Sequence, residues 1–136
     1  MAIVSPNTGT NVGTNVASIP VLIADDETLM RQLLASILRS MGYQNISYAS
    51  DGPKAVEAIN DDGIRIAFLD IDMPGFTGLE VLEIARNTRP DCFFVIVSSH
   101  SGLDNVLAAL NGGARGFIVK PYNAQKIHDV LLKFKK

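Results

Sequence analysis

Short apolar runs alternate along this chain with longer stretches whose apolar residues recur every third or fourth position. The runs are Val21-Leu22-Ile23-Ala24, Ile64-Arg65-Ile66-Ala67-Phe68-Leu69, Phe93-Phe94-Val95-Ile96-Val97 and Phe117-Ile118-Val119, with the weaker alternation Ile46-Ser47-Tyr48-Ala49 after the first. Such runs, separated by helical patterns, predict parallel strands buried on both faces. Between the first two strands Met30, Leu33, Leu34, Ile37, Leu38 and Met41 form one face of an amphipathic helix, and Gly42 past its end suits a left-handed C-terminal cap. Asp51-Gly52-Pro53 offers a cap and a first-turn proline for a helix through Ala55, Val56 and Ile59. After the loop Met73-Pro74-Gly75-Phe76-Thr77-Gly78, a helix through Leu79, Leu82 and Ala85 ends before Pro90. A fourth, around Val106, Ala109 and Leu110, stops at Gly112-Gly113. A fifth begins at Asn123 and carries Ile127, Val130, Leu131 and Phe134 on one face. Strands alternating with helices in this way predict an α/β sandwich around a parallel central sheet.

Residues 1–18 break the pattern. Asn7-Thr8-Gly9-Thr10-Asn11-Val12-Gly13-Thr14-Asn15-Val16 is small, polar and weakly repetitive, which predicts a flexible tail ahead of one domain over residues 19–136. A length of 136 residues suits a single domain, and 47% hydrophobic residues argue for an ordered core. The net charge of -2 gives no reason to bind nucleic acid or an anionic membrane. No apolar stretch is long enough to span a bilayer, and Met1-Ala2-Ile3-Val4-Ser5-Pro6 lacks the form of a secretory signal. Cys92, the single cysteine, heads an apolar strand and reads as core packing. A cytoplasmic protein is expected.

The candidate chemistry lies at the ends of the strands. Asp25 and Asp26 close the first run, Asp70 the third, Ser98 the fourth and Lys120 the fifth. Each residue alone has a plain explanation. Asp26 can cap a helix, Ser98 and Ser99 can turn a loop, and Lys120 can be a surface charge. Their agreement in position argues otherwise, because open parallel sheets bind ligands outside the carboxyl ends of their strands. Mg²⁺ takes carboxylate and phosphate oxygens in octahedral array, and clustered carboxylates without a cation repel. A third carboxylate can then attack phosphorus, with a lysine and a hydroxyl holding the phosphoryl oxygens.

Asp25-Asp26, Leu69-Asp70-Ile71-Asp72-Met73-Pro74-Gly75, Ser98-Ser99 and Gly113-Ala114-Arg115-Gly116-Phe117-Ile118-Val119-Lys120-Pro121-Tyr122 together resemble the response-regulator receiver domain of two-component signalling, including its stand-alone chemotaxis-type members. The resemblance runs from about Pro20 to the C-terminus. It implies a flavodoxin-like, doubly wound five-stranded parallel sheet of order 2-1-3-4-5 with helices on both faces. It further implies Asp70 as phosphoacceptor, Asp25 and Asp26 as the acidic metal pair, and Asp72 as the donor of a backbone carbonyl to Mg²⁺. Ser98 would be the switch hydroxyl, Lys120 the phosphate-pairing lysine in a cis Lys120-Pro121 unit, and Phe117 the aromatic that moves with the hydroxyl. Phenylalanine lacks the hydroxyl of the tyrosine many relatives carry there, so that movement would rest on packing. Asp72 and His100 match positions that tune dephosphorylation. The implied partners are a sensor histidine kinase or a phosphotransfer protein, and a downstream protein that reads the fourth helix, fifth strand and fifth helix. The domain would not turn over an external substrate.

Three rival readings meet obstacles in the residues themselves. A haloacid-dehalogenase-type phosphatase would use Asp70 as nucleophile and Asp72 as general acid, but Met73 replaces the usual threonine or valine and the chain is short. A calcium loop from Asp70 to Gly75 fails at Pro74 and at Val81, where a bidentate glutamate is needed. A flavin-binding reading fails at the acidic turn after Ala24.

Overall fold

The first strand, β1 (Val21–Ala24), is buried at every position, as are β3 (Ile66–Asp70) and β4 (Phe93–Ser98). In this computed structural model, which describes residues 16–100 and 102–134, helices cover both faces of a parallel sheet and so bury those strands. The remaining elements are α1 (Thr28–Ser40), β2 (Ile46–Ala49), α2 (Gly52–Asp61), α3 (Gly78–Thr88), α4 (Leu103–Asn111), β5 (Gly116–Val119) and α5 (Ala124–Leu131). The sheet order is β2-β1-β3-β4-β5 with every pair parallel, the order expected from the family resemblance. The direction of winding reverses between β1 and β3, which opens a crevice beyond their carboxyl ends.

Side chains alternate across a strand, and here the alternation divides the core in two. Leu22, Ala67, Leu69, Phe94 and Ile96 pack with Ala55, Ile59, Val81, Leu82 and Ala109, on the side of α2, α3 and α4. Val21, Ile23, Ile66, Phe68, Val95 and Ile118 pack with Leu34, Leu38 and Ile127, on the side of α1 and α5. Continued to the strand ends, the same parity assigns Asp25, Asp70 and Lys120 to the α1/α5 side. It assigns Ser98 and Phe117 to the α3/α4 side.

Local signals explain the helix starts. The Asp51 carboxylate accepts the Lys54 amide at 2.8 Å, and Asn123 Oδ1 accepts the Lys126 amide at 3.0 Å. Thr77 and Glu80 form a reciprocal capping box at α3. Gly42 takes a left-handed φ of 103° just past α1.

Residues 16–18, which composition assigns to the tail, form a turn of 3₁₀-helix. Val16 and Ile19 are buried beside Tyr43, and the Ile19 amide donates to the Val16 carbonyl at 3.2 Å. One tight turn sets two apolar residues three apart on a common face, so the ordered domain includes Val16–Ser18. The rest of the expected tail, residues 1–15, lies outside the described residues.

Gly78 opens α3 against the end of β3. A Cβ built there would lie 2.3 Å from the carbonyl oxygen of Asp70. Gly78→Ala must therefore push α3 away from the residue that ends β3. Overpacking of this kind costs roughly 1–3 kcal/mol, to be read as a lowered urea midpoint at unchanged slope.

Candidate functional site

The carboxyl ends of β1, β3 and β5 bring Asp25, Asp70 and Lys120 into one buried cluster. Lys120 Nζ lies 2.9 Å from Asp25 Oδ2 and 3.1 Å from Asp70 Oδ2, with Asp25 4% and Asp70 3% exposed. The other carboxylate oxygens accept backbone amides, Asp25 Oδ1 from Glu27 at 2.9 Å and Asp70 Oδ1 from Asp72 at 3.1 Å. Lys120 precedes Pro121 through a cis peptide bond. Asp26 is exposed at the rim and does not cap α1, whose N-cap is Glu27 without a side-chain bond.

The cluster carries unequal charge. Burial, then the neighbouring Asp25 charge, pushes the Asp70 carboxyl up to about 6, against the pull of Lys120 and the Asp72 amide. For Lys120 burial works against the ammonium, but the hydrogen bonds it donates to Asp25 and Asp70, with their charges, outweigh burial and raise the group above its ordinary value. Burial and then the Asp25 charge push the Tyr122 hydroxyl up to about 12. It therefore stays protonated and donates to the Met30 carbonyl at 3.0 Å, tying the Lys120 loop to α1.

Asp25, Asp26 and Asp70 each offer a carboxylate oxygen within 4.8 Å of the others. Hard oxygen donors at the mouth of a crevice suit Mg²⁺, which keeps several coordination positions for water or phosphate. The donor set fits the ion that the family resemblance implies.

The raised Asp70 carboxyl sets a pH dependence for the metal-free protein. The folded state holds the Asp70 proton to higher pH than the unfolded chain does. Its stabilising contribution is complete below the unfolded carboxylate range near pH 4 and is lost as pH rises through about 6. In EDTA, Asp70→Asn should be more stable than wild type at pH 7.5 by about 3 kcal/mol, with the gain vanishing towards pH 4. Urea midpoints of the two proteins at the two pH values check this.

Ser98 ends β4 fully buried, and its Oγ accepts the His100 amide at 2.9 Å. Phe117 is half-buried and packs against the core on the α3/α4 side, paired in register with Ile96. The hydroxyl and the ring thus share the sheet face opposite the acid–lysine cluster. Asp72 contributes its amide to Asp70, while its side chain is exposed and lies 3.8 Å from His100 Nε2. That placement removes the ground for Asp72 as a general acid, and with it the phosphatase reading.

Two participants lie outside the motif residues. Glu27 Oε1 stands 3.5 Å from Lys120 Nζ, and the run Asp25-Asp26-Glu27 was its only signal in the sequence. Arg31 Nη1 donates to the Asp25 carbonyl at 2.6 Å and fixes the acidic turn from α1. Nothing local in the sequence marks Arg31, because the contact depends on how α1 leaves the strand.

Residues 21–132 match the family profile described as the response regulator receiver domain. The chain belongs to that family. The receiver is 31% identical over 116 residues to the chemotaxis protein CheY of Thermotoga maritima, covering 85% of this chain and 97% of that protein. It is 29% identical to CheY of Pseudomonas aeruginosa, covering 83% of this chain and 93% of that one. Among solved structures, CheY from a Borrelia burgdorferi complex with CheX, BeF3 and Mg²⁺ superposes with a TM-score of 0.80. It shares 31% identity, with 87% of this chain and 90% of that chain covered. A CheY-like receiver from Methanospirillum hungatei gives a TM-score of 0.78 at 29% identity, over 84% and 90% of the two chains. The receiver is accordingly a response-regulator signalling domain of the CheY type, and the phosphatase alternative finds no support among these relatives. No described helix is long and apolar enough to cross a membrane.

Proposed function

We propose that Asp70 accepts a phosphoryl group from a phosphohistidine, on a sensor histidine kinase or a phosphotransfer protein, and that the resulting charge resets the surface formed by α4, β5 and α5. The observation that carries the reading is the buried Asp70 carboxylate held between the Lys120 ammonium and two further carboxylates at the sheet's switch point. In the transfer, an Asp70 carboxylate oxygen forms the new P–O bond as the P–N bond breaks, and the electron pair leaves with the imidazole. Asp25, Asp26 and Asp70, with the backbone carbonyl of Asp72, would hold Mg²⁺, which when bound offsets charge on the phosphoryl oxygens. Lys120, already aimed at Asp70, exchanges part of its carboxylate pairing for the incoming phosphoryl group.

Ser98 then hydrogen-bonds the phosphoryl group, giving up the His100 amide, and Phe117 follows it inward by packing alone. Such a switch is a shift between two populations, driven by the differential affinity of the phosphorylated site for one of them. The protein acts as a self-phosphorylating acceptor in the cytoplasm, and its downstream partner is a protein that reads the altered helices. Ser98→Ala should still accept phosphate but lose most of the phosphate-dependent amide shifts in α4 and β5. Residues 103–119, followed by NMR with and without BeF3 and Mg²⁺, report the difference.

The reading as a whole is tested by intact mass after incubation with acetyl phosphate. One base-labile phosphoryl group should appear with Mg²⁺ and not with EDTA. Its absence with several donors, together with no BeF3 complex, would overturn the phosphoswitch.

A further inference from the structure

We propose that the receiver carries a second anion site, at the end of the sheet remote from Asp70, which binds a small multivalent oxyanion. A cavity of about 410 Å³ opens there between the amino ends of β4 and β5, the end of α3 and the segment after α5. Arg86, Arg115 and Lys133 line it beside Phe93 and Phe134. Its one carboxylate, Asp91, pairs at 3.5 Å with Nε of Arg89, a residue that does not line the cavity. Among the described residues, no carboxylate stands within ion-pair distance of Arg65, Arg86, Arg115 or Lys133. A chain of net charge -2 therefore concentrates uncompensated positive charge at one mouth.

The arginines are also held in place. The Arg115 guanidinium sits 5.6 Å over the Phe93 ring, and that of Arg65 sits 5.4 Å over Phe134. The two rings meet edge to face at 5.5 Å, so each cation rests on a fixed platform. Each guanidinium lies over a ring face, and the side-chain N–H groups of Arg65 and Arg115 have no acceptor among the described residues. A planar fork held that way matches the two oxygens of a carboxylate or phosphate. Arg86 keeps its position by donating to the Gly112 carbonyl at 3.0 Å. The guanidiniums already cover ring faces here, which disfavours a ligand that needs to stack an aromatic base. Several converging cations favour a di- or trivalent anion over a monovalent one, since a single exposed pair contributes little. Polyphosphates and polycarboxylates share this chemistry.

The test is an NMR titration of the full chain, in EDTA, with pyrophosphate and separately with citrate, against NaCl at matched ionic strength. Saturable shifts are expected at the amides of Phe93, Gly113 and Arg115, with those of Asp25 and Asp70 unmoved. Tighter binding of pyrophosphate identifies a phosphate ligand, and tighter binding of citrate a carboxylate one. Lys133→Gln, which removes no described contact, should weaken binding about 3-fold, and its combination with Arg115→Gln about 10-fold. Shifts that NaCl reproduces, that centre on Asp70, or that both variants retain would overturn the site.

Discussion

Asp70→Asn is expected to take up no phosphoryl group from acetyl phosphate and Mg²⁺ under conditions that label the wild type. The substitution keeps the shape of the side chain and leaves an oxygen to accept the Asp72 amide, which now meets Asp70 Oδ1 at 3.1 Å. It removes the charged oxygen that would attack phosphorus, and an amide oxygen is a far weaker nucleophile. It also removes one of the carboxylates that repel at the site, so the variant should fold at least as firmly as wild type in EDTA. A lost label in a more stable protein separates chemistry from folding. Intact mass and a urea curve on the same preparation give both readings.

The second large effect is on stability. Lys120→Met would leave Asp25 and Asp70 buried without their shared cation, whose side chain is 9% exposed against 6% and 4% for theirs. Removing one partner of a buried ion pair costs about 3–5 kcal/mol, more than the attraction alone, because the remaining charge has lost both water and partner. The loss should be greatest above pH 6 and should shrink towards pH 4, where Asp70 takes up its proton in either protein. Mg²⁺ should stabilise Lys120→Met more than wild type, since the ion meets carboxylates that no ammonium already holds. Urea unfolding at two pH values, each with and without Mg²⁺, checks the size and both dependences. A loss under about 1 kcal/mol at neutral pH would show that Lys120 is not the charge that makes the cluster tolerable.

The fold was legible where a residue's neighbours along the chain decide its state. The runs ending at Ala24, Leu69 and Val97 are apolar at nearly every position because both sheet faces are covered, and each became a buried strand. Asp51 and Asn123 announced their helices because a cap needs only the next three residues. The grouping of Asp25, Asp26, Asp70 and Lys120 in space was legible for a different reason. Strand ends converge in a parallel sheet, so polar residues that close apolar runs gather at one edge.

What stayed hidden depends on three-dimensional approach. Gly78 reads as one more loop breaker, and only the packing of α3 on the Asp70 carbonyl shows why a side chain is excluded. Arg31 is a helix-surface arginine until the turn brings its guanidinium to the Asp25 carbonyl. Val16 belongs by composition to a polar tract, yet it closes the core beside Tyr43 and Ile19. The division of Asp70 and Lys120 from Ser98 and Phe117 across the sheet follows from strand parity. It needed the two helix layers to give each face a meaning.

The central claim is that a phosphoryl group lands on the Asp70 carboxylate, and borohydride trapping tests it directly. The protein, phosphorylated with acetyl phosphate and Mg²⁺, is treated with sodium borohydride, which reduces an aspartyl phosphate to homoserine, and is then digested and sequenced by mass spectrometry. Homoserine at position 70 and nowhere else is the predicted result. An intact Asp70 with the phosphate on Ser98 or His100, or with reduction at Asp25 or Asp26 instead, would contradict the account.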